Sequence, residues 1–424
     1  MKLVSIPANP VPDDVVTGSI KTPDGASLRF ARWAPPVGRK GTVVVLQGRA
    51  EYIEKYFETV RDLRARGFAV ATFDWRGQGM SERALADHHK GHVRNFSEYA
   101  TDLEAIMEQV VLPDCPPPIF ALGHSMGAAI GIRACHDGSR WFERMVLTAP
   151  MIALRPGRLT TMAGPLARFM RMLGRGSGYV PTGHGDATGP EDFIGNVLTS
   201  DPVRYARNTA VLEEAPELGI GSPTIAWVDA AMRLMKLFAA PGYAGHIRQP
   251  ILLVAAGNDE VVSTPAIETF GMNLLAGRHL ILAGSKHEIL QEQDHYRSQF
   301  WAAFDAFVPG TPRYYSACRL HCWRAKSSRQ HVLFPLSRAG VMNPPAVGVY
   351  RRYGRHIYQL PARRFKGTGR ATVRSPAQDV WTGRRLHGRR RDEARVRLRQ
   401  TARRPGRAMR CGAGHHRREL VRRP

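Results

Sequence analysis

The chain has 424 residues, enough for one large domain or two to three smaller ones, and an ordinary hydrophobic fraction of 43%. Its net charge of +25 sits at one end: residues 311–424 hold 30 Lys and Arg against 4 Asp and Glu, which leaves the first 310 residues close to neutral. The overall basicity therefore says nothing of what the body binds. Five scattered cysteines exclude a disulfide framework, and no run reaches the roughly 20 apolar residues that span a bilayer.

The opening residues, Met1 to Asp14, carry one Lys, several prolines and no apolar stretch of signal-peptide type. The expected setting is cytoplasmic and reducing, with peripheral contact at a membrane surface left open. A hairpin follows, Ser19–Lys21 and Ser27–Trp33 around Pro23-Asp24-Gly25. Short apolar runs then alternate with amphipathic stretches, the pattern of a mostly parallel sheet with helices on both faces. The strands are 41–46, 68–73, 118–122 and 145–148. The helices between them are 56–66, closed by Gly67, then 96–111 and 126–135.

After Pro150 the rhythm breaks. Residues 152–246 hold Met- and Arg-rich helical patterns (159–173 and 227–238) around a Gly-rich loop, and read as a helical cap inserted between core segments 1–151 and 247–309. The sheet resumes with 250–256, helix 265–275, strand 278–282 and a last helix, 296–307. In the tail, 310–424, only about 16% of residues are Leu, Ile, Val or Phe, too few to offset the ordering cost of a highly charged segment. It is expected to be disordered. Its skew of 28 Arg to 2 Lys and its abrupt start resemble an out-of-frame extension of a GC-rich coding sequence.

Gly123-His124-Ser125-Met126-Gly127 is the single G-x-S-x-G pattern of the chain. Strand PIFAL runs into it and helix MGAAIGIRA leaves it, so Ser125 is placed on a sharp turn with its hydroxyl above the sheet edge. The flanking glycines allow close backbone approach there. A serine hydroxyl needs a base, and the base needs an orienting acid. In chain order the partners come from loops after later strands. Asp259, the first acid off strand 250–256, is preferred to Glu260. His287, after strand 278–282, is preferred to His279 at the strand start and His295 beside a helix start. His124 reads as a packing residue behind the nucleophile. For the developing oxyanion the expected donors are the backbone N–H groups of Met126 and of Arg49, in the loop Gln47-Gly48-Arg49.

Segments QGRAEYIEKY (47–56), DWRGQGMS (74–81), GHSMG, GNDEVV (257–262) and GSKHEIL (284–290) resemble the monoacylglycerol lipase and bacterial lysophospholipase branch of the α/β-hydrolases, serine aminopeptidase-like in type. LTSDPVRY (198–205) and GSPTIAW (221–227) extend the likeness into the cap, and it covers roughly residues 15–308. The resemblance implies an α/β-hydrolase fold with a lid after the sixth strand. It also implies a serine esterase acting on single-chain lipid esters through an acyl-enzyme. Lysophospholipids come first, with monoacylglycerols, other carboxylic esters or peptides as alternatives. One departure is Gln47, where the family usually carries His. Asp74 and Ser81 are expected to scaffold the site without chemistry.

No cofactor, metal, specific nucleic acid or obligate protein partner is implied. Cys318, His321 and Cys322 make only half a zinc site. The alternative from another class is nucleic-acid or anionic-membrane binding through the Arg-rich tail. In the cap, Met162, Phe169, Met170, Met172 and Leu173 suit either an acyl chain or docking on the sheet domain, beside Arg168, Arg171 and Arg175.

Overall fold

A computed structural model describes residues 2–35, 40–181, 183–185, 193–308, 350–353 and 356–359. Eight strands form one sheet in the order β1-β2-β4-β3-β5-β6-β7-β8. β1 (Val15–Lys21) and β2 (Ser27–Trp33) make the expected antiparallel hairpin, and β2 also runs antiparallel to β4 (Ala69–Phe73). The remaining pairs, through β3 (Thr42–Leu46), β5 (Ile119–His124), β6 (Arg144–Thr148), β7 (Ile251–Ala256) and β8 (Gly277–Leu282), are parallel.

Strands β3, β4, β5 and β7 are buried along their whole length, which is why they read as continuous apolar runs. Alternate residues face opposite layers. Val44, Leu46, Ala121, Leu147 and Leu253 join α2 (Ser97–Ile106) and α4 (Ser125–His136). Val43, Val45, Leu122, Val146 and Val254 join α1 (Phe57–Ala65) and α9 (Asp294–Phe307). Helix α2 continues through a π-turn, Met107–Val111, into the short α3 (Leu112–Asp114). The last helix supplies Phe300, Trp301 and Phe304, all buried, and so completes the second layer.

Between β6 and β7 no described residue adds a strand to the sheet; the segment carries α5 (Arg158–Met172), α6 (Pro202–Glu214) and α7 (Ile225–Phe238). Helix α8 (Thr264–Met272) then links β7 to β8. Helix α6 is absent from the sequence reading, although its start was marked: Asp201 accepts from Val203 N and Arg204 N, with Pro202 at the first helical position.

The fold also corrects the reading of the Met-rich stripe. Met162, Phe169, Met172 and Leu173 are exposed, with Met172 at 79%, and so line neither an acyl cavity nor a docking face. In the tail, β9 (Tyr350–Tyr353) and β10 (His356–Gln359) pair as an antiparallel ribbon. Tyr350, Tyr353, Ile357 and Tyr358 are strong β-formers, which suits them to this short ribbon. The expectation for the rest of the tail, with Cys318, His321 and Cys322, lies outside the described residues.

Candidate active site

Ser125 stands where β5 turns into α4, at a left-handed φ of 47°. A non-glycine residue pays roughly 1–3 kcal/mol for such a backbone, a strain typical of functional turns. The two glycines of the motif make the turn sterically possible. A Cβ on Gly127 would lie 2.3 Å from the Gln47 carbonyl oxygen, and one on Gly123 would lie 2.9 Å from Ala128 Cα. The start of α4 therefore rests directly on the end of β3.

Loops after β7 and β8 bring the two predicted partners to this turn. His287 Nε2 is 3.1 Å from Ser125 Oγ, and His287 Nδ1 is 2.8 Å from Asp259 Oδ2. All three side chains are buried. A carboxylate only accepts, so the imidazole proton sits on Nδ1 and Nε2 is left to accept from the serine hydroxyl. Asp259 Oδ1 takes the N–H groups of Val261 and Val262 at 2.8 and 2.9 Å. Burial pushes the Asp259 carboxyl up, but the His287 hydrogen bond and charge and these two N–H groups outweigh it and hold it below its ordinary range.

The rejected candidates lie elsewhere. Glu260 is half exposed and faces Arg155 at 3.4 Å. His279 and His295 are exposed. His124 is buried with its ring 4.9 Å from that of His287 and its Nδ1 3.2 Å from Thr148 Oγ1.

Gln47 is fully buried, and its amide donates to Thr72 Oγ1 at 3.2 Å. Its side chain thus points into the core, and Arg49, two residues on, lines the same cavity as Ser125. The N–H groups of Arg49 and Met126 meet no acceptor among the described residues. Asp74 braces the loop from below: it accepts from Arg29 Nε at 2.7 Å, Ile53 N at 3.0 Å and Met80 N at 2.8 Å, and Ser81 Oγ donates to its carbonyl at 2.6 Å.

A second set of groups was not anticipated. Glu51 accepts from Gly48 N and from Tyr56 Oη at 2.6 Å, and Lys55 Nζ lies 3.2 Å from Glu51 and 2.6 Å from Glu288. Burial opposes both charges, yet Lys55 and His124 hold the Glu51 carboxyl down at about 2, and Glu288 and Glu51 hold the Lys55 ammonium above its ordinary range. The Glu51–Lys55 spacing was readable as an i,i+4 pair. Glu288 was not, because it joins from 233 residues away.

These groups open into a cavity of about 490 Å³ between the sheet edge and the insertion. Its walls are mainly apolar: Met151, Leu212, Val228, Ala231, Met232 and Met235 among others, from α6, α7 and the strand ends. Among the described residues no cluster of His, Cys, Asp and Glu has metal-binding geometry, and no helix is long and apolar enough to cross a membrane.

Residues 38–294 match the family described as serine aminopeptidase, S33. The chain is similar to lysophospholipase L2 of Escherichia coli strain K12, 34% identical over 284 residues, 65% of this chain and 82% of that one. It is also similar to the monoacylglycerol lipase of Mycolicibacterium smegmatis, 24% identical over 276 residues, 64% and 89% of the two chains. Among solved structures, a soluble variant of monoglyceride lipase from Saccharomyces cerevisiae superposes with a TM-score of 0.57 at 19% identity, over 72% of this chain and 98% of that one. Paleococcus ferrophilus monoacylglycerol lipase gives 0.53 at 21%, over 67% and 99%. With the family match running through the nucleophile turn and both partner loops, the chain belongs to the serine aminopeptidase S33 family and is a hydrolase of the α/β-hydrolase fold.

Proposed function

We propose that this enzyme cleaves carboxylic esters of single-chain lipids, lysophospholipids first, through a covalent acyl-enzyme on Ser125. The observation that carries the reading is a hydrogen-bonded Ser-His-Asp relay whose Ser125 and His287 line a mainly apolar cavity of about 490 Å³. In this reading His287 Nε2 takes the Ser125 proton as Oγ attacks the ester carbonyl, and Asp259 holds the imidazolium in place. The Arg49 and Met126 N–H groups receive the oxyanion. His287 then protonates the departing glycerol oxygen, and the acyl group stays on Ser125. Water attacks next, gives its proton to His287, and releases the fatty acid and the serine hydroxyl.

Segment 152–246 acts as the cap, with α6 and α7 as the cavity wall. The lysophospholipase name of the 34% identical relative supports the headgroup class. The exposed α5 face, Met162, Leu166, Phe169 and Met172 beside Arg168 and Arg175, supports transient contact with an anionic lipid surface, where the substrate resides. Arg171 also flanks it, 3.4 Å from Asp229.

The test is a hydrolysis panel of lysophosphatidylcholine, lysophosphatidylglycerol, monoacylglycerol, diacyl phospholipid and aminoacyl amides. Single-chain lipid esters should be turned over at least ~10-fold faster than the diacyl and amide substrates, since a second chain exceeds the cavity. Equal rates on mono- and diacyl lipids would overturn the reading.

A further inference from the structure

Four cationic or titratable basic side chains line the cavity: Arg49, Lys55, His124 and His287. His287 belongs to the relay and His124 is packed against it. Lys55 is held between two carboxylates that also face the cavity, Glu51 at 3.2 Å and Glu288 at 2.6 Å. Its charge is therefore already spent. Arg49 differs from all three. Its Nη2 donates to the Gly221 carbonyl at 2.6 Å, and its guanidinium lies 5.2 Å from the Trp227 ring centre. Its Nε is shut off from solvent without a hydrogen-bond partner, and no described carboxylate pairs with it.

A guanidinium shielded in this way is unfavourable without an anion. Desolvation pulls its pKa down to about 10, with Tyr99 and Tyr179 as the only opposing influences. A cationic N–H donor of this kind bonds a phosphate oxygen more strongly than a neutral one does. Nη1 has no protein partner among the described residues and is the donor left for a ligand.

The two chains match in covalent length. The Arg49 side chain spans as many bonds, from backbone nitrogen to guanidinium carbon, as a glycerophospholipid spans from its sn-1 ester carbonyl carbon to its phosphorus. A substrate whose carbonyl oxygen meets the Arg49 N–H can therefore bring its phosphate to the Arg49 guanidinium.

We propose that the Arg49 side chain reads the headgroup phosphate, and so makes the enzyme prefer a lysophospholipid to a monoacylglycerol; this rests on the single-chain lipid esterase reading above. Glu51 and Glu288 set the limit of the preference: two carboxylates against one ammonium leave the cavity without a free cation for an anionic headgroup once Arg49 is removed, while neutral glycerol needs none.

The alternative for Arg49 is a strap, since its bond to Gly221 ties the sheet domain to the cap. A strap acts on every substrate alike. The experiment compares kcat/KM for 1-palmitoyl lysophosphatidylglycerol and for monopalmitoylglycerol in the wild type, Arg49→Met and Arg49→Lys, in full-length protein.

The ratio of the two constants is taken on each preparation, which cancels the folded fraction and any change in the oxyanion donor. It should fall about 30-fold in Arg49→Met, chiefly through KM, as expected for a lost hydrogen bond between charged groups. Arg49→Lys, which keeps the charge, should fall by less. A ratio within threefold of wild type in both variants would overturn the inference while leaving the esterase reading intact. A wild type that turns over monopalmitoylglycerol but not the lysophospholipid would overturn the phosphate reading at its base.

Discussion

Replacing Asp259 by Asn changes one atom and should nearly silence the enzyme. The carboxylate has two distinct sides: Oδ1 takes two backbone N–H groups, from Val261 at 2.8 Å and Val262 at 2.9 Å, and Oδ2 takes His287 Nδ1–H at 2.8 Å. An asparagine must keep its oxygen on the Oδ1 side, because turning it round would aim its NH₂ at two donors inside a buried pocket. The NH₂ group then faces Nδ1 and forces that nitrogen to accept. The imidazole proton moves to Nε2, which can no longer take the Ser125 proton 3.1 Å away.

A wrong tautomer of this kind lowers kcat by about 10⁴, roughly 5.5 kcal/mol of transition-state stabilisation. The fold should survive, since the shape and two of the three hydrogen bonds are kept. The assay is kcat on a chromogenic acyl ester beside a thermal melt, with Glu260→Gln as the control. That residue faces Arg155 at the surface and should stay within about twofold. A folded Asp259→Asn enzyme within tenfold of wild type, or a greater loss in Glu260→Gln, would refute the reasoning.

Three other outcomes follow from the same geometry. Glu51→Gln should lower kcat by about tenfold with little change in KM, because Gly48 N–H loses the carboxylate that aims the Arg49 loop. It should also lower the thermal midpoint near neutral pH. Since the Glu51 carboxyl is held at about 2 in the fold, its contribution is present above the ordinary Glu range and lost as pH falls towards 2, so melts of the two proteins should converge in acid. Ala231→Phe, on the α7 wall of the cavity, should shift acyl preference from long to short chains, read as a ratio of kcat/KM values changed by at least ~10-fold. Removing residues 311–424 should leave activity on neutral micellar substrate within about twofold, since every group of the relay, its bracing and the cavity lies between 29 and 292; loss confined to anionic vesicles would give the tail's arginines a targeting role.

The relay residues were readable because each follows a strong strand, and a strand end is where this architecture exposes a side chain. Ser125, Asp259 and His287 all sit within a few residues of one. Helix α6 escaped because its capping signal, Asp201-Pro202, precedes a stretch too polar to show an apolar face: of its residues only Val211 is buried. The α5 stripe misled for the opposite reason. Periodicity shows that apolar residues share one face and not what that face meets, and here most of it meets solvent. The Glu51–Lys55–Glu288 set and the Arg29–Glu54–Asp74 set join residues far apart in the chain, so neither had a local signature. Arg49 was chosen for its backbone N–H alone, and its guanidinium acquires meaning only beside Trp227 and Gly221 of the cap.

The central claim is that Ser125 carries the acyl group, and covalent trapping tests it most directly. Wild type and Ser125→Ala, both confirmed as folded by thermal melt, are treated with a fluorophosphonate, digested and mapped by peptide mass. One adduct per chain on the peptide bearing Ser125 is expected in the wild type and none in the variant, with ester turnover reduced by at least ~10⁴-fold in the variant. An adduct on another serine, or a folded Ser125→Ala protein that still hydrolyses lysophospholipid within tenfold of wild type, would contradict the account.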